Sequence, residues 1–304
     1  MGEASKTSGE NGEKITEEIL RLIGWNSPMR GVSVECHIKH HEKQTHGNDF
    51  LYLYDNPLHE NRTDVVYIST KNEKDGYSKG EQGVRTTFKK HLAELDKIIS
   101  CSKLNSKVNE AIKSFGGRKQ KRHTGLLFWL HGNKEELERN IKPHLGAVQL
   151  NLESGCPIYL IDMSRASFIK EVIGHFNATN HGAYSFYYPK LGSIIATVDE
   201  RFGPLLPIEL VVSDLIPLRF MLGDKPSLCL YAKEKFSAES LKKLCSLAFD
   251  FADGWVEQIF IGLEEYHPAD DRESKDQVLM TFRERAANIK VFCYKESILD
   301  LLEY

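Results

Sequence analysis

Three short stretches of this 304-residue chain hold side chains whose types and spacing could do chemistry together. The first, SGENGEKITEEILRLIGW, reads as a helix with Glu13 and Glu17 one turn apart. The second, HGNDFLYLY, places Asp49 at the opening of an apolar strand. The third, DVVYISTKN, reads as a buried strand ending in Ser69, Thr70 and Lys71. Strand alternation puts Ser69 and Lys71 on one face, with Val65 and Tyr67. A lysine facing inward at the end of a buried strand needs an anionic partner. An aspartate opening the neighbouring strand can be that partner, directly or through a bound metal. Each residue alone has an ordinary explanation. Glu13 suits the positive end of a helix, Asp49 a turn after Gly47-Asn48, and Lys71 can snorkel to solvent. Together they point to a site.

The elements that must position them can be read from periodicity. Residues 1–8 form a polar lead, read as flexible. A helix from Glu13 to Ile23 repeats Ile15, Ile19, Leu22 and Ile23 at helical spacing and stops at Gly24. Strands follow at Val32–Lys39, Phe50–Tyr54 and Val65–Lys71, joined by polar loops. A helix over Lys79–Ser100 lines up Val84, Phe88, Leu92, Leu95 and Ile99, and a second helical stretch covers Val108–Phe115. Strands at Gly125–Leu130 and Ile158–Asp162 are separated by a helical pattern, KEELERNIK, and followed by another, SFIKEVIGHF. This order predicts an α/β domain with a mixed sheet over residues 9–176. The Asn-, Gly- and Tyr-rich segment NATNHGAYSFYYPKLG marks the boundary. A second α/β domain over residues 190–304, for interaction or regulation, has strands at Ser193–Val198, Ile208–Val212, Leu228–Ala232 and Val256–Gly262. Its helices are Ala238–Phe251 and Gln277–Ala287, and a strand at Lys290–Tyr294 precedes a terminal helix.

A glutamate on the first helix, an aspartate starting the second strand and a lysine ending the third resemble the PD-(D/E)XK nuclease superfamily. The Gly-Glu helix ending in Gly-Trp and the His-Gly-x-Asp turn are most similar to its Mrr-type and Holliday-junction-resolvase branch. The resemblance covers roughly residues 9–175. It implies a restriction-endonuclease-like core (αβββαβ) and metal-dependent hydrolysis of DNA. It also implies a setting in restriction or phage defence, beside a partner subunit or as a homodimer. Carried over by residue, it makes Asp49 the principal ligand of Mg²⁺ or Mn²⁺, with Glu13 and the Thr70 carbonyl as further ligands. Lys71 positions the attacking water and stabilises phosphorane charge. The family's second carboxylate belongs at position 69, where this chain has serine. Glu73, Glu35 or Glu17 could replace it. Otherwise the site is weak or dead, and the chain is a nuclease-like DNA-binding or scaffold subunit of a defence or repair complex.

Charge supports a polyanion contact. Residues 1–125 hold 21 basic and 17 acidic side chains, whereas 126–304 hold 19 and 26. From Lys71 to Arg122 the count is 14 basic to 6 acidic. Lys74, Arg85 and Lys89, with Arg118, Lys119, Lys121 and Arg122 of the loop GGRKQKRH, are the candidate phosphate contacts. A solvated surface without nucleic acid is the bland alternative. His37, His40, His41 and His46 fit no standard metal-ligand pair and are expected to be solvated or to touch phosphate. The six cysteines are far apart with no CxxC pair, which suits a reduced cytoplasmic protein without disulfides or a zinc site. No apolar run is long enough to span a membrane, no secretory signal opens the chain, and no GxxxxGK[ST] loop marks a nucleotide cofactor.

Overall fold

The computed structural model describes all residues except 1, 37, 39–40, 42, 147–149, 180–181, 191–196, 198–199 and 296–304. The chain divides into two compact units, Met1–Ser167 and Phe168–Tyr304.

Unit one opens with α1 (Gly2–Leu22). The helix therefore includes the stretch read as a flexible lead. Its first turns are tied down by tertiary bonds: the Ser8 hydroxyl donates to the Asn72 carbonyl (3.1 Å), and the Asn72 amide donates back to the Ser8 carbonyl (2.9 Å). Gly24, at φ +79°, ends the helix, with the Trp25 amide returning to the Leu20 carbonyl. Five strands follow in spatial order β1 (Met29–Glu35), β2 (Thr45–Asp55), β3 (Arg62–Glu73), β4 (Gln120–His131) and β5 (Ile158–Asp162). The β1–β2 and β2–β3 pairs are antiparallel, while β3–β4 and β4–β5 are parallel. As the central strand, β3 is covered on both faces, and Val65, Val66, Tyr67 and Ile68 are all buried.

The parallel crossover from β3 to β4 runs through α2 (Glu81–Ser102) and α3 (Ser106–Phe115). The expected α2 stripe of Val84, Phe88, Leu92, Leu95 and Ile99 is buried. KEELERNIK forms only a 3-10 turn at Lys134–Glu136 and is followed by the short α4 (Lys142–Leu145). A segment with so little apolar surface has no face to bury. At the N-terminal end of β3, the buried Asp64 accepts bonds from Tyr54 (2.9 Å) and Asn56 (2.6 Å) and pairs with the Arg62 Nε at 2.8 Å. The helix α5 (Met163–Thr179) runs through the unit boundary, so the first unit ends before the expected residue 176.

Unit two is a six-stranded mixed sheet. Its spatial order is β11 (Ile289–Cys293), β10 (Gln258–Leu263), β9 (Lys225–Ala232), β8 (Leu215–Leu222), β6 (Tyr184–Tyr187) and β7 (Phe202–Gly203). The helix α7 (Ala238–Ala252) is capped by Ser237, whose hydroxyl accepts from the Ser240 amide at 3.0 Å, and it packs Leu241, Leu244, Cys245 and Ala248 into the core. Residues 208–212, expected as a strand, instead form a short helix, α6 (Ile208–Val211), after Pro207. The last helix is α8 (Arg272–Met280). Three strands escape the sequence reading: β6, inside the supposed boundary segment, the two-residue β7, and β8, which contains Pro217. That proline pairs with Leu230 just beyond the last β6 pair, Phe186 with Leu218. Of the expected strand at residues 193–198 only Thr197 is described, outside any strand, and the expected terminal helix falls outside the described residues. Among the described residues no helix is long and apolar enough to cross a membrane.

Candidate active site

The site forms where two strands part. β2 and β3 pair up to Phe50 with Ile68 and no further. Beyond that point β2 stays with β1, as far as Thr45 opposite Glu35, and β3 stays with β4, as far as Glu73 opposite His131. The fork leaves Asp49 on one prong facing Ser69, Thr70 and Lys71 on the other. The Asp49 Oδ2 takes the Thr70 backbone N–H at 2.6 Å, a bond the broken ladder no longer supplies. Amide and carbonyl of one strand residue point the same way, so the Thr70 carbonyl also faces this gap. Ser69 is buried beside it, and its hydroxyl is one of the groups that draw the Asp49 carboxyl down.

A carboxylate does reach the fork from α2. Glu94 meets Lys71 with Oε2 2.9 Å from Nζ, and Lys43 approaches the other oxygen at 3.7 Å. Burial pushes the Glu94 carboxyl up, but the bond from Lys71 and the charges of Lys71 and Lys43 hold it below its ordinary value. Asp49 goes the other way. Its burial raises the carboxyl, against the Thr70 amide, Lys71 and Ser69, and the Glu94 charge adds to the rise. Glu13 is raised by burial and then by the charge of Asp49. Gly12 makes that approach possible: a Cβ there would lie 2.7 Å from the Asn72 Cβ, so only glycine lets α1 press on β3 at this level. Carboxylate oxygens are the donors a hard divalent cation takes, although among the described residues no three of them are gathered as tightly as the ligands of one ion. Asp49, Glu94, Glu13 and the Thr70 carbonyl are the groups that could hold it.

The three residues expected to replace the missing carboxylate are occupied elsewhere or point away. Glu73 contacts His91 and the Trp129 Nε1, each at 3.4 Å, and the His91 bond is the main cause of its lowered carboxyl. Glu17 is ion-paired with Arg30. Glu35 is exposed at the end of β1. Glu94 was missed because, in sequence, it is one of several acidic residues along a charged helix.

The basic residues separate into two groups. Lys74 follows β3 directly, and Lys89 is exposed on α2 two residues before His91, so both stand at the forked end of the sheet. Arg85, on the same helix, is committed to the His144 carbonyl (2.7 Å) and to Glu81. The loop at 116–122 lies at the opposite end, since Gln120 pairs with Arg62. Strand rise separates that pair from Lys71 by about 30 Å. Arg118 is locked to the Asn56 carbonyl (2.7 Å) and the His59 carbonyl, and Lys121 to the Gly116 carbonyl (2.6 Å). Lys119 is exposed and Arg122 half-buried at this same end. The structure does not bring this loop to the site. Neither are all the histidines solvated: His41 and His46 are buried, while His37 and His40 fall outside the described residues.

A family model described as the GAPS4 protein PD-(D/E)XK nuclease domain matches residues 1–165, more than half of the chain. No curated protein and no solved structure matches it. By that match, and with the strand fork carrying Asp49 and Lys71 inside it, the chain belongs to the GAPS4 PD-(D/E)XK nuclease domain family.

Proposed function

We propose that the protein is a divalent-metal-dependent deoxyribonuclease that acts in restriction or phage defence, with Mg²⁺ or Mn²⁺ as its cofactor. The observation that carries the reading is the contact of Lys71 with Glu94 beside Asp49, which supplies the charge missing at Ser69. Asp49, Glu94 and Glu13 hold the cation, with the Thr70 carbonyl. When bound, the metal supplies a water acidic enough to attack and a positive charge for the scissile phosphate. Lys71, which contacts Glu94 at 2.9 Å, would orient the attacking water and stabilise charge on the phosphate. The Thr70 amide, at 2.6 Å, holds the Asp49 carboxylate in place.

The test is cleavage of linear and supercoiled DNA with Mg²⁺, Mn²⁺ or EDTA. Asp49→Ala and Lys71→Ala should each abolish cleavage, while DNA binding in EDTA persists. Cutting by either variant at the parental rate would overturn the assignment. Ser69 favours a second reading, an inactive DNA-binding or scaffold subunit, in which neither change alters biological activity. A partner subunit or a homodimer belongs to the same proposal, so the assay includes a co-expressed neighbouring protein and a measurement of oligomeric state.

DNA enters over the forked end, with Lys74 and Lys89 on its phosphates. The double variant Lys74→Ala, Lys89→Ala should weaken binding and lower the slope of log affinity against log salt by about 1–2. Arg118→Ala should leave affinity unchanged and destabilise the fold by about 1–3 kcal/mol, because it strands buried carbonyls. An Arg118 variant with weakened DNA binding and unchanged stability would restore the loop to the interface.

A further inference from the structure

We infer that the first unit carries a structural zinc site, made by Cys36, His41, His46 and Cys101, separate from the carboxylate site. One ligand atom from each of these residues lies within 4.8 Å of all the others, and His41, His46 and Cys101 are buried. The Cys36 and Cys101 sulfurs are 3.5 Å apart, and they stand 3.4 and 3.3 Å from the His41 Nδ1. Zinc bonds of about 2.3 Å to sulfur and about 2.0–2.1 Å to nitrogen place tetrahedral ligand atoms about 3.3–3.8 Å apart. The three separations among Cys36, Cys101 and His41 fall in that range.

Three further observations favour a metal over a cluster of thiols and rings. The His41 Nε2 is 3.0 Å from the Glu153 carboxylate. A carboxylate there holds the proton on Nε2, and Nδ1 then keeps its lone pair for the cluster. Two thiols crowd that one lone pair, and only one of them could donate to it well. The His46 Nε2 is buried with no hydrogen-bond partner among the described residues, a cost that coordination removes. Two thiolates and two neutral imidazoles around a doubly charged cation also leave no net charge in a buried place, and an S₂N₂ tetrahedron selects zinc. Glu153 is itself held in place, since its backbone amide donates to Asp96 of α2 at 2.7 Å.

The ligands come from three places: Cys36 and His41 from the connection between β1 and β2, His46 from β2, and Cys101 from α2. His46 precedes Asp49 by three residues, and Cys101 follows Glu94 by two helical turns. The zinc therefore ties the strand bearing Asp49 to the helix bearing Glu94.

The experiment is elemental analysis of the full chain purified in reducing buffer, paired with cobalt substitution. A single zinc per chain is expected, and Co²⁺ should give the d–d bands of a tetrahedral site and a thiolate charge-transfer band. Cys36→Ser and His46→Ala should lose both signals, and Glu153→Gln should lower metal affinity about 10–100-fold. Asp49→Ala with Glu94→Ala should keep the zinc, which separates this site from the carboxylate site. If the cysteine variants do not fold, protection of both thiols from alkylation in the parent, lost on chelation, reads the same contact. Reduced protein without stoichiometric zinc and without the cobalt spectrum would overturn the proposal. So would intact mass showing a Cys36–Cys101 disulfide in the freshly purified chain.

Discussion

Replacing Glu94 with alanine should lower DNA cleavage by at least about 100-fold, on the scale of removing a group that stabilises charge in the transition state. Glu73→Ala, on the same face of β3 as Lys71, should retain most activity. The contrast follows from what each carboxylate touches. Glu94 contacts Lys71 and lies close enough to Asp49 to raise its carboxyl, whereas Glu73 is engaged by His91 and Trp129. Glu94→Gln keeps an acceptor for the Lys71 ammonium but removes the charge. It should therefore resemble Glu94→Ala in rate while keeping DNA affinity in EDTA. Moving the carboxylate back to the strand, in Ser69→Glu with Glu94→Ala, should recover part of the lost rate. Parental cleavage by Glu94→Ala would show that the carboxylate is not used.

The largest stability effect should come from the opposite end of β3. Asp64 is fully buried and is bonded by Tyr54, Asn56 and Arg62. Asp64→Ala removes the one buried carboxylate that Tyr54, Asn56 and Arg62 all bond, and should cost about 3–5 kcal/mol. Two units can unfold separately, so the measurement needs a probe confined to the first. Trp25 and Trp129 lie in that unit and Trp255 in the other, so urea unfolding followed by tryptophan fluorescence in a Trp255→Phe background isolates it. A loss below about 1 kcal/mol would mean that the ion pair barely offsets its own desolvation. Fully folded Asp64→Ala protein should cut DNA normally, because the change is remote from the fork.

What could be read from the sequence was local. Val65–Ile68 and the stripe from Val84 to Ile99 announce a central strand and a packed helix, because burial imposes their periods. Asp49 and Lys71 stand where polar residues interrupt the apolar runs of β2 and β3, and so they could be picked out, although both strands extend past them. Glu94 could not, since only the packing of α2 over β3 distinguishes it from its acidic neighbours. The basic band misled for a related reason. It is continuous along the chain, but the crossover through α2 and α3 carries Arg118 and Lys121 to the far end of the sheet. Cys36 and Cys101 are likewise distant in sequence, and no spacing rule connects a β1–β2 loop to the last turn of α2. Pro217 hid β8, because a proline inside a strand argues against the strand unless its neighbour stops short of it.

The division of the carboxylates between a strand and a helix has a consequence for how this protein tolerates change. A residue on β3 keeps its place through hydrogen-bonded register, which substitutions elsewhere disturb little. Glu94 keeps its place through the fit of Phe88, Leu92 and Leu95 beneath it, which any altered side-chain volume shifts. Mutations in that helix interface are therefore selected on two counts, the stability of the domain and the alignment of its acidic pair. Drift that another fold could absorb as a slightly looser core would here register first as lost function.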